Sequence, residues 1–125
     1  YGKYGGLLPI EREASLYRQA KVSPVINEPH VEVMNVDQNE RVFKVLGSGG
    51  FAVTDAVPSY REWFSEDELP IPKNEAEFHE IVHLALGDSD FNRRFRKAGH
   101  RAVIERHRYS CRAEEVLKAL NIPVK

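Results

Sequence analysis

From Pro9 to Ala20 the apolar positions recur at helical spacing: Ala14, Leu16, Tyr17 and Ala20 line one side of a charged segment, and Pro9 suits a first helical turn. Val22 to Ile26 then reads as a strand. Pro24 interrupts it and would remove a ladder hydrogen bond from a central strand, so this strand is expected to be short, bulged or at an edge. Asn27 to Gln38 is polar and irregular, with Pro29 inside it, and forms a long loop of the kind that often carries function in compact domains. Val42, Phe43 and Leu46 make the apolar stripe of a short helix that Gly47-Ser48-Gly49-Gly50 brings to an end. Phe51 to Val53 is a second β-prone run, closed by the polar pair Thr54 and Asp55.

Beyond that point Pro58 and Tyr60 to Phe64 suggest another short helix, and Leu69 to Ile71 a brief strand between turns. Asn74, with Glu77 three residues later, opens a helix whose face is Phe78, Ile81, Val82 and Ala85 and which stops at Gly87. A second helix runs from about Asp88 to Arg106 along Phe91, Phe95, Ala98 and Ala102, and a third from about Ser110 to Leu120 along Ala113, Val116, Leu117 and Leu120. Strands separated by helical crossovers imply a parallel sheet with right-handed connections. The expected fold class is α/β: the latter part of a Rossmann-like, doubly wound parallel sheet, followed by a C-terminal helical tail. Its opening strands would lie upstream, and the isolated piece would expose a sheet edge able to pair with itself.

A chain of 125 residues with 42% hydrophobic residues fits one domain with a modest packed core. No apolar run approaches the ~20 residues of a membrane span, and no basic-then-apolar signal pattern opens the chain. A cytoplasmic protein is the expectation. The single cysteine, Cys111, has no internal disulfide partner and reads as a small half-buried residue of the last helix. The chain begins at Tyr1 in a loop-like segment, as a piece of something longer would.

The formal net charge is -1, which argues against a general nucleic-acid binder. Charge is nonetheless segregated. Nine acids stand against Arg61 and Lys73 between Arg61 and Asp90, whereas eight Lys or Arg stand against Glu105 between Phe91 and Arg112. Two packed helices with oppositely charged solvated faces are the simplest account, and a polyanion site on the basic stretch is the alternative.

Several short motifs in a fixed order carry a family resemblance. Arg-Val-Phe-Lys-Val-Leu-Gly-Ser-Gly-Gly-Phe-Ala-Val-Thr-Asp from Arg41, Val-Pro-Ser-Tyr-Arg-Glu-Trp-Phe from Val57, and Ala-Gly-His-Arg-Ala-Val-Ile-Glu-Arg-His-Arg-Tyr from Ala98 resemble the C-terminal part of GT-B glycosyltransferases, in particular the CgeB-like group. The resemblance covers roughly Leu16 to Leu120. It implies the donor-side half of a two-domain enzyme, binding a nucleoside diphosphate sugar and facing an N-terminal acceptor domain that this chain lacks. Residues 1–125 would then be one domain, inactive alone. The family's Arg-x-Phe-Glu glutamate, expected to hydrogen-bond the donor ribose, is Lys44 here, and the acid that the wider retaining group often has eight positions earlier is Val36. An ammonium cannot accept a hydrogen bond. Lys44 therefore faces a donor phosphate or another carboxylate, or the pocket has changed, and a degenerate binding module without transferase activity is the alternative function.

Residue chemistry narrows the donor site. Gly47 to Gly50 follow a helix, so they read as a C-cap rather than a phosphate loop; anions prefer the other end of that helix, where Asn39 and Arg41 stand. The loop after the first strand holds Asn27, Glu28, His30, Glu32, Asn35 and Asp37 at a carboxyl strand end, with Thr54 and Asp55 at the same edge. Asn27, Asn39, Arg41, Lys44, Thr54 and Asp55 are thus the expected donor-binding residues. No residue is assigned as catalytic, and neither a metal nor a cofactor is called for. His79 and His83 read as exposed helix positions, His100 and His107 as structural groups joining the last helices, and Trp63 and Phe64 as packing residues, with stacking on a sugar open to Trp63 if it is exposed.

Overall fold

The computed structural model describes residues 8–28 and 38–123. His30, Glu32, Asn35, Val36 and Asp37 of the predicted loop lie outside the described residues.

Helix α1 spans Ile10–Gln19, with Glu11 and Glu13 in its first turn and Arg18 in its last, a distribution that complements the helix dipole. Pro9 sits just ahead of the helix rather than inside it. Of the expected apolar stripe only Tyr17 packs against the core; Leu16 is about half exposed.

Strand β1 (Ser23–Val25) pairs in parallel with β2 (Ala52–Thr54), setting Ser23 opposite Ala52, Pro24 opposite Val53 and Val25 opposite Thr54. The Ser23 N–H donates to the Phe51 carbonyl at 2.8 Å. β1 is short and at an edge, as a proline requires, and Pro24 is exposed. The strand expected at Leu69 to Ile71 does not form. Prolines 70 and 72 supply no N–H to a ladder, and the Leu69 backbone is committed elsewhere: its N–H bonds the Ser65 carbonyl at 3.2 Å, and its carbonyl accepts from the Arg61 guanidinium at 2.9 Å. Leu69 itself is fully buried, so its side chain serves the core without a strand.

The residues of β2 alternate between two hydrophobic clusters. Ala52, with Val25 of β1, faces Val42, Val45, Leu46, Val57, Tyr60, Phe64 and Leu69, whereas Phe51 and Val53 face Ala85 and Phe95, flanked by Phe78, Ile81, Val82 and Phe91. Helices therefore cover both faces of a parallel sheet, the arrangement of a partial Rossmann-like α/β fold. Burial on both faces explains why β2 is apolar without alternation.

Helix α2 spans Glu40–Gly47 and buries Val42, Val45 and Leu46. It ends in a Schellman turn: the Gly50 N–H reaches the Val45 carbonyl and the Gly49 N–H the Leu46 carbonyl, both at 2.9 Å, with Gly49 at φ 76°. The predicted C-cap role of these glycines is thus the observed one. A single 3-10 turn, Pro58–Glu62, stands where a short helix was expected.

Helix α3 (Glu75–Gly87) starts as the sequence signals. The Asn74 carboxamide accepts from the Glu77 N–H at 2.9 Å, and the Glu77 carboxylate reaches back to the Lys73 N–H at 2.7 Å. Asp88 caps helix α4 (Ser89–Arg106) by accepting from the N–H groups of Asp90 and Phe91. α4 crosses from one core to the other, placing Phe95 in the cluster with Phe51 and placing Ala102 and Val103 in the cluster with Leu46. Where it meets α2 the residue is Gly99; a Cβ there would stand 2.7 Å from Leu46 Cδ2 and 2.8 Å from the Glu68 carbonyl. Helix α5 (Tyr109–Ala119) buries no residue fully. Cys111 is half-buried on it, as expected. Among the described residues, no helix is long and apolar enough to cross a membrane.

Candidate functional site

The parallel register brings side by side the polar residues at and just beyond the carboxyl ends of the two strands. Asn27 follows β1 by two positions, Thr54 closes β2 and Asp55 comes next, and the three are hydrogen-bonded together. The Asp55 carboxylate accepts from the Asn27 backbone N–H at 3.0 Å and from the Thr54 hydroxyl at 3.1 Å, and it also receives the Asn27 amide. The same amide nitrogen lies 3.1 Å from Thr54 Oγ1. Thr54 and Asn27 are buried and Asp55 is half-buried, and the three hold one another in place.

Tyr60 extends the network to α2. Its hydroxyl donates to Asn27 Oδ1 at 3.3 Å and accepts from the Asn39 N–H at 2.8 Å. The ring is fully buried, and burial raises the phenol above its ordinary pKa, with the Asp55 charge acting in the same direction. Tyr60 thus stays protonated at neutral pH and can donate. Asn39 caps α2, its side-chain oxygen accepting from the Arg41 N–H at 3.0 Å while its carbonyl takes the Val42 N–H at 3.0 Å.

Four of the six expected residues, Asn27, Thr54, Asp55 and Asn39, therefore belong to one hydrogen-bonded cluster at the carboxyl ends of the strands. Arg41 stands exposed on the first turn of α2, and among the described residues no carboxylate pairs with its guanidinium. Lys44 points elsewhere. Its ammonium is 3.7 Å from Glu40 and 3.9 Å from Glu13, so of the alternatives raised by the sequence it faces carboxylates. It borders a cleft of about 360 Å3 between α2 and the start of α5, with His107, Tyr109 and Arg112. A different cleft, about 510 Å3, opens beside Asp55 and is walled by Ile26, Ala56, Pro72, Asn74, Phe78 and His79.

Tyr60 is the residue that sequence reasoning left out. The signal available was position: a tyrosine in the turn directly after a strand's carboxyl end, whose hydroxyl needs a partner once the ring is buried.

The aromatic pair after the 3-10 turn behaves as packing. Phe64 is buried, and Trp63 meets Phe43 edge-on at 6.4 Å. One face of the indole is covered by the Arg112 guanidinium at 4.0 Å, so that face is closed to a sugar. His107 lies 3.0 Å from the Trp63 carbonyl through Nε2 and 2.6 Å from the Arg112 guanidinium through Nδ1. Because a guanidinium can only donate, Nδ1 is the acceptor and Nε2–H the donor. His107 joins α4 to α5 as expected; His100 instead bonds the Leu46 carbonyl at 3.1 Å and so ties α4 to α2. His79 and His83 are exposed on α3, with His79 3.6 Å from Glu75.

A parallel sheet covered on both faces, with its polar residues gathered at the carboxyl ends of the strands, places the chain in the Rossmann-like α/β class. Sequence comparison then names the family. The family model described as glycosyl transferase-like matches residues 2–118, and the chain belongs to that family. No curated protein and no solved structure matches the chain.

Proposed function

We propose that this chain is the donor side of a GT-B type glycosyltransferase of the CgeB-like kind. It binds a nucleoside diphosphate sugar at the carboxyl edge of the sheet, for transfer to an acceptor held by another domain. The observation that carries the reading is the cluster of Asn27, Thr54, Asp55 and Tyr60: a buried polar network at the strand ends, beside an open cleft, in a glycosyl transferase-like chain. Asp55, half-buried beside the cleft, offers carboxylate oxygens to sugar or ribose hydroxyls while Asn27 holds it in place, and Arg41, with no carboxylate partner among the described residues, offers a bidentate fork to the diphosphate. Chemistry on this side consists of holding the donor and stabilising the leaving diphosphate, while any general base belongs to the acceptor domain.

A degenerate binding module is the second reading, favoured by one observation. Lys44, which by the resemblance stands where the family's ribose-binding glutamate is expected, is turned to Glu40 and Glu13. Calorimetric titration with UDP-, GDP- and dTDP-sugars separates the two. Saturable binding of one of them, lost in Arg41→Ala, is the expected result; its absence from the intact protein overturns the transferase reading. Tighter binding by Lys44→Glu identifies a pocket that has lost its carboxylate.

A further inference from the structure

The opposite edge of the sheet carries a cavity larger than the two clefts already described, about 620 Å3, built where the strands begin. Lys21 lies two residues ahead of β1 and Gly49 three ahead of β2, and both line it. Every ionisable side chain in the lining is basic: Lys21, Arg93, Arg96, Lys97 and His100. The last four come from one face of α4, at spacings of three and four residues.

The wall is fixed by hydrogen bonds to backbone. Buried Asn92 donates its amide to the Lys21 carbonyl at 2.7 Å and to the Ala85 carbonyl at 2.9 Å, which anchors the segment bearing Lys21 against α4. Arg96 donates to the Gly49 carbonyl at 2.8 Å and also reaches the Arg18 carbonyl. Its charge is therefore held in the wall by neutral acceptors rather than cancelled by an acid. Among the described residues only Arg93 has a carboxylate partner, Asp90 at 2.7 Å, in a pair that is largely exposed and readily exchanged. Lys21 and Lys97 have none, so the lining carries an excess of positive charge that an anion would offset.

We propose that this cavity binds a small ligand carrying two or more phosphate groups, at a site separate from the donor cleft. Its volume has room for a compact polyanion, while the formal net charge of -1 opposes an extended nucleic acid. Phosphate groups of this kind occur on soluble metabolites and on lipid headgroups, and the test has an arm for each.

Sodium tripolyphosphate is titrated calorimetrically into the purified protein and into Lys21→Ala/Lys97→Ala, while amide chemical shifts are followed by NMR. Both lysines are exposed, and the thermal midpoint of the double variant checks its fold. Saturable binding weakened about ten-fold or more in the variant is expected, with shifts centred on Lys21, Gly49 and Lys97. Vesicles of phosphatidylcholine with and without phosphatidylinositol bisphosphate form the other arm; co-sedimentation only with the phosphorylated lipid, reduced in the same variant, assigns the headgroup as source. The proposal is overturned by no saturable binding in either arm, by an unchanged affinity in the variant, or by shifts centred on Asn27 and Asp55.

Discussion

His107 is the residue whose environment most directly predicts a solution behaviour. Burial lowers its pKa below the ordinary histidine value, and the neighbouring Arg112 and Arg106 charges lower it further against the raising effect of the Trp63 carbonyl. The unfolded chain then takes up this proton at a higher pH than the folded one. Stability is unaffected well above the ordinary histidine pKa and is lost as pH falls through that value toward the lower folded one. The expected result is a fall in thermal midpoint between pH 7.5 and pH 5.5 that is smaller in His107→Gln, checked by calorimetry at both pH values. Tyr60 yields a second expectation. Tyr60→Phe keeps the ring but strands the Asn39 N–H and Asn27 Oδ1, at a cost of about 1–3 kcal/mol in chemical denaturation. A loss under about 0.5 kcal/mol would show that the network does not hold the strand ends together.

The elements that were legible in the sequence are those determined locally. The α2 stop needed only glycines after an apolar stripe, α3 needed Asn74 and Glu77, and α4 needed Asp88 ahead of a periodic run. What failed, or stayed open, depended on partners distant in sequence. Leu69 to Ile71 has strand-like composition, yet its backbone is claimed by Ser65 and Arg61. Lys44 meets Glu13 of another helix as well as its own neighbour Glu40, and the role of Tyr60 was decided by Asn27 and Asn39. The site was accordingly half visible: polarity at the strand ends could be read, but not which side chains bond one another.

Two glycines separate the forces acting on these elements. Gly99→Ala gains helix propensity of about 1 kcal/mol but drives a methyl group into Leu46 and the Glu68 carbonyl. The net expectation is destabilisation, since overpacking costs about 1–3 kcal/mol and one neighbour is backbone. Gly49→Ala has open space around its Cβ and suffers only from its positive φ, a cost of about 1–2 kcal/mol. Denaturation midpoints of the two variants, together with retained α4 helicity by circular dichroism, check that contact rather than propensity governs the α2–α4 crossing.

At the scale of the molecule, two hydrophobic clusters on opposite faces of a two-stranded sheet share β2 and α4. A fold linked in this way should unfold as one unit. The only tryptophan, Trp63, packs against the cluster that contains Leu46, whereas much of the helix signal comes from α3 and α4. Fluorescence and far-ultraviolet circular dichroism should therefore give coincident urea transitions; separated midpoints would mean that the Phe51 side loosens first.

Membership of a glycosyl transferase-like family does not alter the physics of the sheet edge. Ser23 points its N–H toward β2, so the alternating backbone turns Pro24 outward, where a further strand would have to approach. There the strand offers a carbonyl and no donor. An incoming chain can give a hydrogen bond at that residue but receives none, so stray copies meet half a ladder. Pro24→Val would restore the missing donor and convert a one-sided edge into a template, and light scattering on concentrated samples should reveal it.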